Sequence, residues 1–328
     1  MEGGGTDQYY RKSDAQDLWN TSFWGHMMKT HSGEVRESYT TASHSNHHDG
    51  TKKACGSGVH VRTFGGLEVS IDASPMKVSR KRPRMELNLL IALVARGPRG
   101  DSRRSLGLTL WPDAEEANAT NACAITINRL RHRLGDSRAL VALDGRVALR
   151  SDRVTIDAWE FCDACAILER ACHTQDTLGE LAASRVFELY KGEFAPDYDL
   201  PCALGARERY RLRFRRAVTQ WGRLLKHQGR LVEAICHFEN ATEVCSLEES
   251  FYLDLMDCYA ANGAVVAAMR TFENACALFR GAYGVEPSSI LLAKYRGIRD
   301  RSDLGVAPRC GERLTPEELQ SGGHGVSR

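Results

Sequence analysis

The chain has 328 residues, 42% of them hydrophobic, with 44 lysines and arginines against 42 aspartates and glutamates for a net charge of +2. This length suggests about two domains with enough apolar content for a true core. The best apolar run, Leu87 to Ala95, is about half the ~20 residues that a membrane span needs and contains Asn88, and no apolar leader opens the chain, so a cytoplasmic protein with no membrane partner is expected.

The near-neutral total hides an asymmetry. Residues 59–157 carry 17 basic and 11 acidic groups, net +6, whereas 1–58 sum to −1 and 158–328 to −3. A positive field confined to one small domain points to a polyanionic partner. The eleven cysteines scatter along helical stretches, which suits reduced, core-filling thiols. Cys162-x-x-Cys165 has no second pair to complete a metal site and is read as structural. Residues 1–58, rich in Gly, Ser, Thr and His, have no sustained period and are expected to be disordered. His44, His47, His48 and Cys55 fall in that segment and are not read as metal ligands, and Trp19, Phe23 and Trp24 carry no firm role.

From Val59 the pattern changes. "VHVRTFGGLEVSI" alternates on both sides of Gly65-Gly66, predicting two strands around a turn, with a further short strand at Met76 to Val78. Ser79 reads as the N-cap of a first helix with Pro83 in its first turn and Met85, Leu89, Leu90 and Leu93 as its buried stripe, closed by Gly97-Pro98. A second helix is predicted from about Ser102 to Leu110, broken by Trp111-Pro112, and a third from about Glu115 to Leu134. In the third, Cys123, Ile127, Leu130 and Leu134 recur on one face, and Gly135 is its expected C-cap. "ALVALDGRVALR" then alternates about Asp144-Gly145, a strong hairpin signal. Strands, three helices and a hairpin make a winged helix-turn-helix over residues 59–157.

If the third helix buries that face, Asn121, Asn128, Arg129, Arg131 and Arg133 are left for other work. Arginine can bond guanine bidentately and asparagine adenine, so this helix is the expected reader of double-stranded DNA. Arg146 at the hairpin tip would meet phosphate or the minor groove. Arg80, Lys81, Arg82 and Arg84, with Arg103 and Arg104, would hold backbone phosphates.

Residues 158–300 read as an α-solenoid. "GRLVEAICHFENA" from Gly229 and "GAVVAAMRTFENA" from Gly263 lie 34 residues apart, and seven of their positions coincide. That period, with Gly, Ala and Phe in those places, is the tetratricopeptide signature. Helices over Ala203–Gln228 and Ser250–Ala261 are the expected partners of the repeated ones. Residues 301–328 are expected to be a disordered tail. The fold class is therefore mainly α with small β, a winged helix-turn-helix followed by a tetratricopeptide-like solenoid.

The winged-helix segment resembles the OmpR-type DNA-binding domain, whose recognition helix ends in a pattern like Ile127-x-x-Leu130-Arg131-x-x-Leu134, after Leu110-Trp111-Pro112. That resemblance implies DNA contacts at Asn121, Asn128, Arg129 and Arg131. Asn121 and Asn128 stand where relatives often carry basic residues, which leaves the operator sequence open. The second half resembles the bacterial transcriptional activation domain of Streptomyces antibiotic regulatory protein (SARP) regulators. Asp157-x-x-x-Phe161, Leu189-Tyr190-x-Gly192-Glu193-Phe194, Pro196-Asp197-Tyr198 and Gly284-Val285-Glu286-Pro287-Ser288 carry it. The joint resemblance covers about residues 59–300. It implies a transcriptional regulator, commonly an activator that recruits RNA polymerase and binds direct repeats as side-by-side copies, hence a homodimer on DNA. No phosphate loop, zinc-protease or nucleophile-elbow motif occurs, so neither an enzyme nor a cofactor is expected. The alternative is a tetratricopeptide adaptor whose winged helix does not bind DNA.

Overall fold

A computed structural model describes residues 58–76, 85–143, 145–174 and 178–303. Both terminal segments lie outside the described residues, as do Val78, Ser79, Arg80, Lys81, Arg82, Pro83, Arg84 and Asp144.

β1 (Val59–Arg62) sends Val59 and Val61 inward and His60 and Arg62 outward, the two-residue period of a half-buried strand. It pairs antiparallel with β2 (Glu68–Ile71) across the Gly65-Gly66 turn, Val59 opposite Ile71. The next strand, β3 (Ser74–Pro75), precedes the one expected at Met76 to Val78, of which only Met76 is among the described residues. Met76 instead donates its N–H to the Val69 carbonyl at 2.7 Å.

α1 (Met85–Arg96) departs from its predicted stripe. Leu87 and every residue from Leu89 to Ala95 are buried, so the helix is covered on all sides rather than on one face. Short β4 (Asp101–Ser102) follows. α2 (Arg103–Leu110) is capped by Ser102, whose Oγ accepts from the Ser105 N–H at 3.0 Å, satisfying one of the orphan donors of the first turn. α3 (Glu116–Leu134) buries Cys123, Ile127, Leu130 and Leu134 as predicted and ends on Gly135 in the left-handed region, φ 68°. α2 and α3 approach so closely at Gly107 that a Cβ there would stand 2.8 Å from the Ala119 carbonyl oxygen. β5 (Leu140–Leu143) and β6 (Arg146–Leu149) form the predicted hairpin, and β4 joins the free edge of β6. β7 (Val154–Ile156) then returns to run parallel to β1.

The helical half consists of α4 (Asp157–Thr174), α5 (Leu178–Leu189), α6 (Pro201–His227), α7 (Leu231–Val244), α8 (Glu249–Ala261), α9 (Val265–Tyr283) and α10 (Ser289–Asp303). The 34-residue repeat is α7 and α9 with the turns before them. Gly229 and Gly263 adopt φ 76° and 77°, a conformation that costs glycine little. Ala234 and Ala268 are both fully buried. Phe238 fills the space above Gly222 of α6, where a Cβ would stand 2.3 Å from its ring. Phe272 stacks on Tyr295 of α10 at 4.3 Å between centroids.

The two halves share one continuous core. Asp157 starts α4 yet points back into the first sheet. Its carboxylate accepts from the Thr63 N–H at 2.6 Å, the Thr63 hydroxyl at 2.6 Å, the Phe64 N–H at 2.9 Å and the Ala158 N–H at 2.7 Å. Burial pushes its pKa up, and these donors oppose the rise by stabilising the anion. Beside it, Phe64 packs against Phe161, Tyr190, Phe194 and Tyr210. The segment after α5 runs antiparallel to the chain beyond β1: Gly65 donates to the Glu193 carbonyl at 2.9 Å and Ala195 to that of Thr63 at 2.7 Å. Arg207 of α6 pins this segment by donating to the carbonyls of Phe194, Ala195, Pro196 and Tyr198. The Leu-Tyr-x-Gly-Glu-Phe phrase is thus the weld between sheet and helices. α1 is welded too, since Trp159 Nε1 donates to the Val94 carbonyl at 3.1 Å and Arg209 Nη2 to that of Ala95 at 2.8 Å.

Candidate nucleic-acid interface

With one face of α3 buried, its other face is set by the helical period. Asn118, Asn121, Ile125, Asn128, Arg129 and His132 are all exposed. Asn121, Ile125, Asn128 and His132 follow one another at three- and four-residue steps and form a single stripe, with Arg129 beside it. Ile125 was not singled out from sequence. It is 55% exposed, and an unpacked branched side chain between two asparagines is suited to apolar contact with a thymine methyl. A break in an otherwise polar stripe was the available signal.

Two neighbouring elements converge on this face. Arg103, at the start of α2, donates its backbone N–H to the Gly145 carbonyl at 3.1 Å, which fastens the wing tip to the helix-turn-helix. Arg104 pairs with Glu116 at 2.8 Å, tying the start of α2 to the start of α3. The guanidinium of Arg103 is exposed, with no hydrogen bond or ion pair among the described residues. It lies near enough to α3 to oppose the burial that pushes the Cys123 thiol up to about 11.

The remaining predicted cations differ in how far they are committed. Arg129 is exposed, with no ion pair or hydrogen bond among the described residues. Arg131 is half-buried: its Nε donates to the Leu140 carbonyl and its Nη1 to Asn128 Oδ1, each at 3.1 Å. It therefore braces α3 against the wing and orients Asn128. Arg133 faces Glu86 of α1 at 3.9 Å. Arg146 folds back from the hairpin tip, its Nη2 donating to the carbonyls of Gly100 at 2.9 Å and Arg99 at 3.4 Å. That brings the exposed Arg99 close to Arg146, a second residue not identified from sequence. Arg80, Lys81 and Arg82 fall outside the described residues.

In the helical half, basic residues pair with carboxylates. Along α6, Arg211 pairs with Glu208 and Glu248, Arg216 with Glu169, Arg223 with Asp254 and Lys226 with Asp257. No group of three or more His, Cys, Asp or Glu among the described residues could hold a metal ion. Burial pushes the thiols of Cys162 and Cys165 up, away from the reactive thiolate. No helix among the described residues is long and apolar enough to cross a membrane.

Residues 156–299 match the family described as bacterial transcriptional activator domain. Among solved structures, Mycobacterium tuberculosis EmbR, determined in complex with a low affinity phosphopeptide, is similar in fold, with a TM-score of 0.55 at 19% identity. The likeness covers 74% of this chain and 65% of the EmbR chain, so this chain spans less than two thirds of EmbR. No curated protein matches by sequence.

Proposed function

We propose that this chain, in which a winged helix precedes a bacterial transcriptional activator domain as in SARP-type regulators, binds double-stranded DNA in a sequence-specific way and activates transcription. The observation that carries the reading is the split of α3: Cys123, Ile127, Leu130 and Leu134 are buried while Asn121, Asn128 and Arg129 face solvent. Residues 59–157 are the DNA-reading half and 158–300 the half that contacts the transcription machinery, RNA polymerase included. Asn121, Ile125, Asn128 and Arg129 read base edges. Arg103, with Arg99 and the basic run from Arg80 to Arg82, holds phosphates. Arg104, Arg131, Arg133 and Arg146 set the geometry of that surface, and their residual donors add to the positive field. Two copies would lie side by side on a direct repeat, in the bacterial cytoplasm at the nucleoid.

The adaptor reading has one observation in its favour: Arg104, Arg131 and Arg146 already have partners within the protein. Selection of duplexes from a random pool on the full chain, followed by titration of the winner in rising salt, separates the two. A DNA reader enriches one motif and loses affinity by about one log unit per log of salt for each phosphate contact. Arg129→Ala should cost about 1–3 kcal/mol on that motif with the fold intact. An adaptor enriches nothing, and that result would remove the DNA reading.

A further inference from the structure

The two copies of the repeat differ in charge at the start of their repeated helices. In the first copy Arg230 donates to Glu233 and, at 2.7 Å, to Glu180 of α5, so paired charged side chains lie beside the start of α7. The corresponding residues of the second copy, 34 positions on, are Ala264 and Ala267. A cleft of about 590 Å³ stands beside these alanines, lined by Tyr259, Ala264, Val266, Ala267, Arg270 and Asn274 among others. Arg270 takes the position of Cys236 in the first copy. It is exposed, and no hydrogen bond or ion pair among the described residues engages it, whereas Arg211, Arg216 and Arg223 of α6 and Arg230 before α7 all have carboxylate partners. Tyr259 contributes its ring, since its hydroxyl is already given to Glu239. Val266 is exposed at the rim.

We infer that this cleft docks an acidic segment of a partner polypeptide. A carboxylate would meet the uncommitted Arg270, where a charge-assisted bond is stronger than a neutral one. An apolar side chain would cover Val266 and Ala267, and the Asn274 amide could both donate to and accept from a peptide backbone. The cleft is open along one side, which suits a polypeptide lying across it better than an enclosed small molecule. The lining residues come chiefly from α9, the second helix of its hairpin, and none belongs to the winged helix. The inference is therefore independent of DNA binding.

A phage-displayed random peptide library panned on the full-length protein tests it. Counter-selection uses a variant with Ala264→Arg and Ala267→Glu, which rebuilds the pair seen at Arg230 and Glu233. Enriched peptides should carry Asp or Glu beside apolar residues. The synthetic versions should bind wild type at least about tenfold more tightly than Arg270→Glu, one decade being about 1.4 kcal/mol. Far-UV helicity and DNA affinity of both variants should match wild type, which separates this result from any failure of the DNA reading. Arg270→Glu alters one exposed side chain, so it keeps the test informative should the double variant not fold. The inference is overturned if no peptide is enriched on wild type over the variant, or if the winners are basic or neutral. It is also overturned if the winners bind Arg270→Glu equally well, or if Arg270→Glu changes the sedimentation coefficient, which would make a second copy of the chain the occupant.

Discussion

Asp157 shows how much one side chain can hold. It accepts four hydrogen bonds from groups that are themselves in the core, three of them from Thr63 and Phe64. Asp157→Ala would leave those donors buried without acceptors, at about 1–3 kcal/mol per group, and the loss is expected to exceed that of a typical surface change several-fold. Urea unfolding at neutral pH checks it, with Asp157→Asn expected to fall between the two because one oxygen remains to accept. Arg131 and Arg129 make a second pair to compare. Sequence places both on α3 with equal standing. The structure separates them, because the partners of Arg131 include a main-chain carbonyl, and a carbonyl leaves no trace in the pattern of residue types. The same holds for Arg146, whose acceptors Arg99 and Gly100 are backbone oxygens 47 and 46 positions away.

At the scale of elements, spacing carries most of the information. The stripe on α3, the Asp144-Gly145 hairpin and the 34-residue repeat were legible because each is a local regularity that tertiary packing then honours. The burial of α1 on all sides was not. One side is covered by α3 and the other by α6, whose residues lie more than a hundred positions later, and no short-range pattern announces a cover that distant. The close approach at Gly107 yields a prediction here. Gly107→Ala improves intrinsic helix propensity by about 1 kcal/mol, but its Cβ would meet the Ala119 backbone, which cannot swing aside as a side chain can. The expected outcome is a net destabilisation of about 1–3 kcal/mol. It should come with weaker DNA binding, since α3 must move away from α2, and thermal melting alongside a duplex titration reads both.

For the whole molecule, pH offers a probe of the common core. His237 is fully buried between Phe187 and Phe238, and its Nε2–H donates to the Val218 carbonyl at 2.9 Å. Burial pulls its pKa from 6.5 down to about 4, against the opposing effect of that bond. A base with a depressed folded pKa stays neutral in the fold while the unfolded chain takes up a proton below pH 6.5. Its contribution is present above that pH and is lost progressively as pH falls towards 4. The linkage amounts to about 3 kcal/mol in all. Between pH 7 and pH 5 this group alone should lower the unfolding free energy by about 2 kcal/mol, the rest being lost below pH 5, and His237→Leu should flatten that part of the profile. An unchanged slope in the variant would assign the pH dependence to other groups.

The last turn of α1 bears on inheritance as well as on stability. Its Val94 and Ala95 carbonyls are claimed by an indole and a guanidinium that belong to α4 and α6. A recombination event that grafted a foreign sensor behind the wing would strip those acceptors of their donors and expose the apolar flank of α1 to water. Descendants that trade their back half must therefore supply a Trp159-like and an Arg209-like group at the seam, or evolve a new lining for α1 at the same moment.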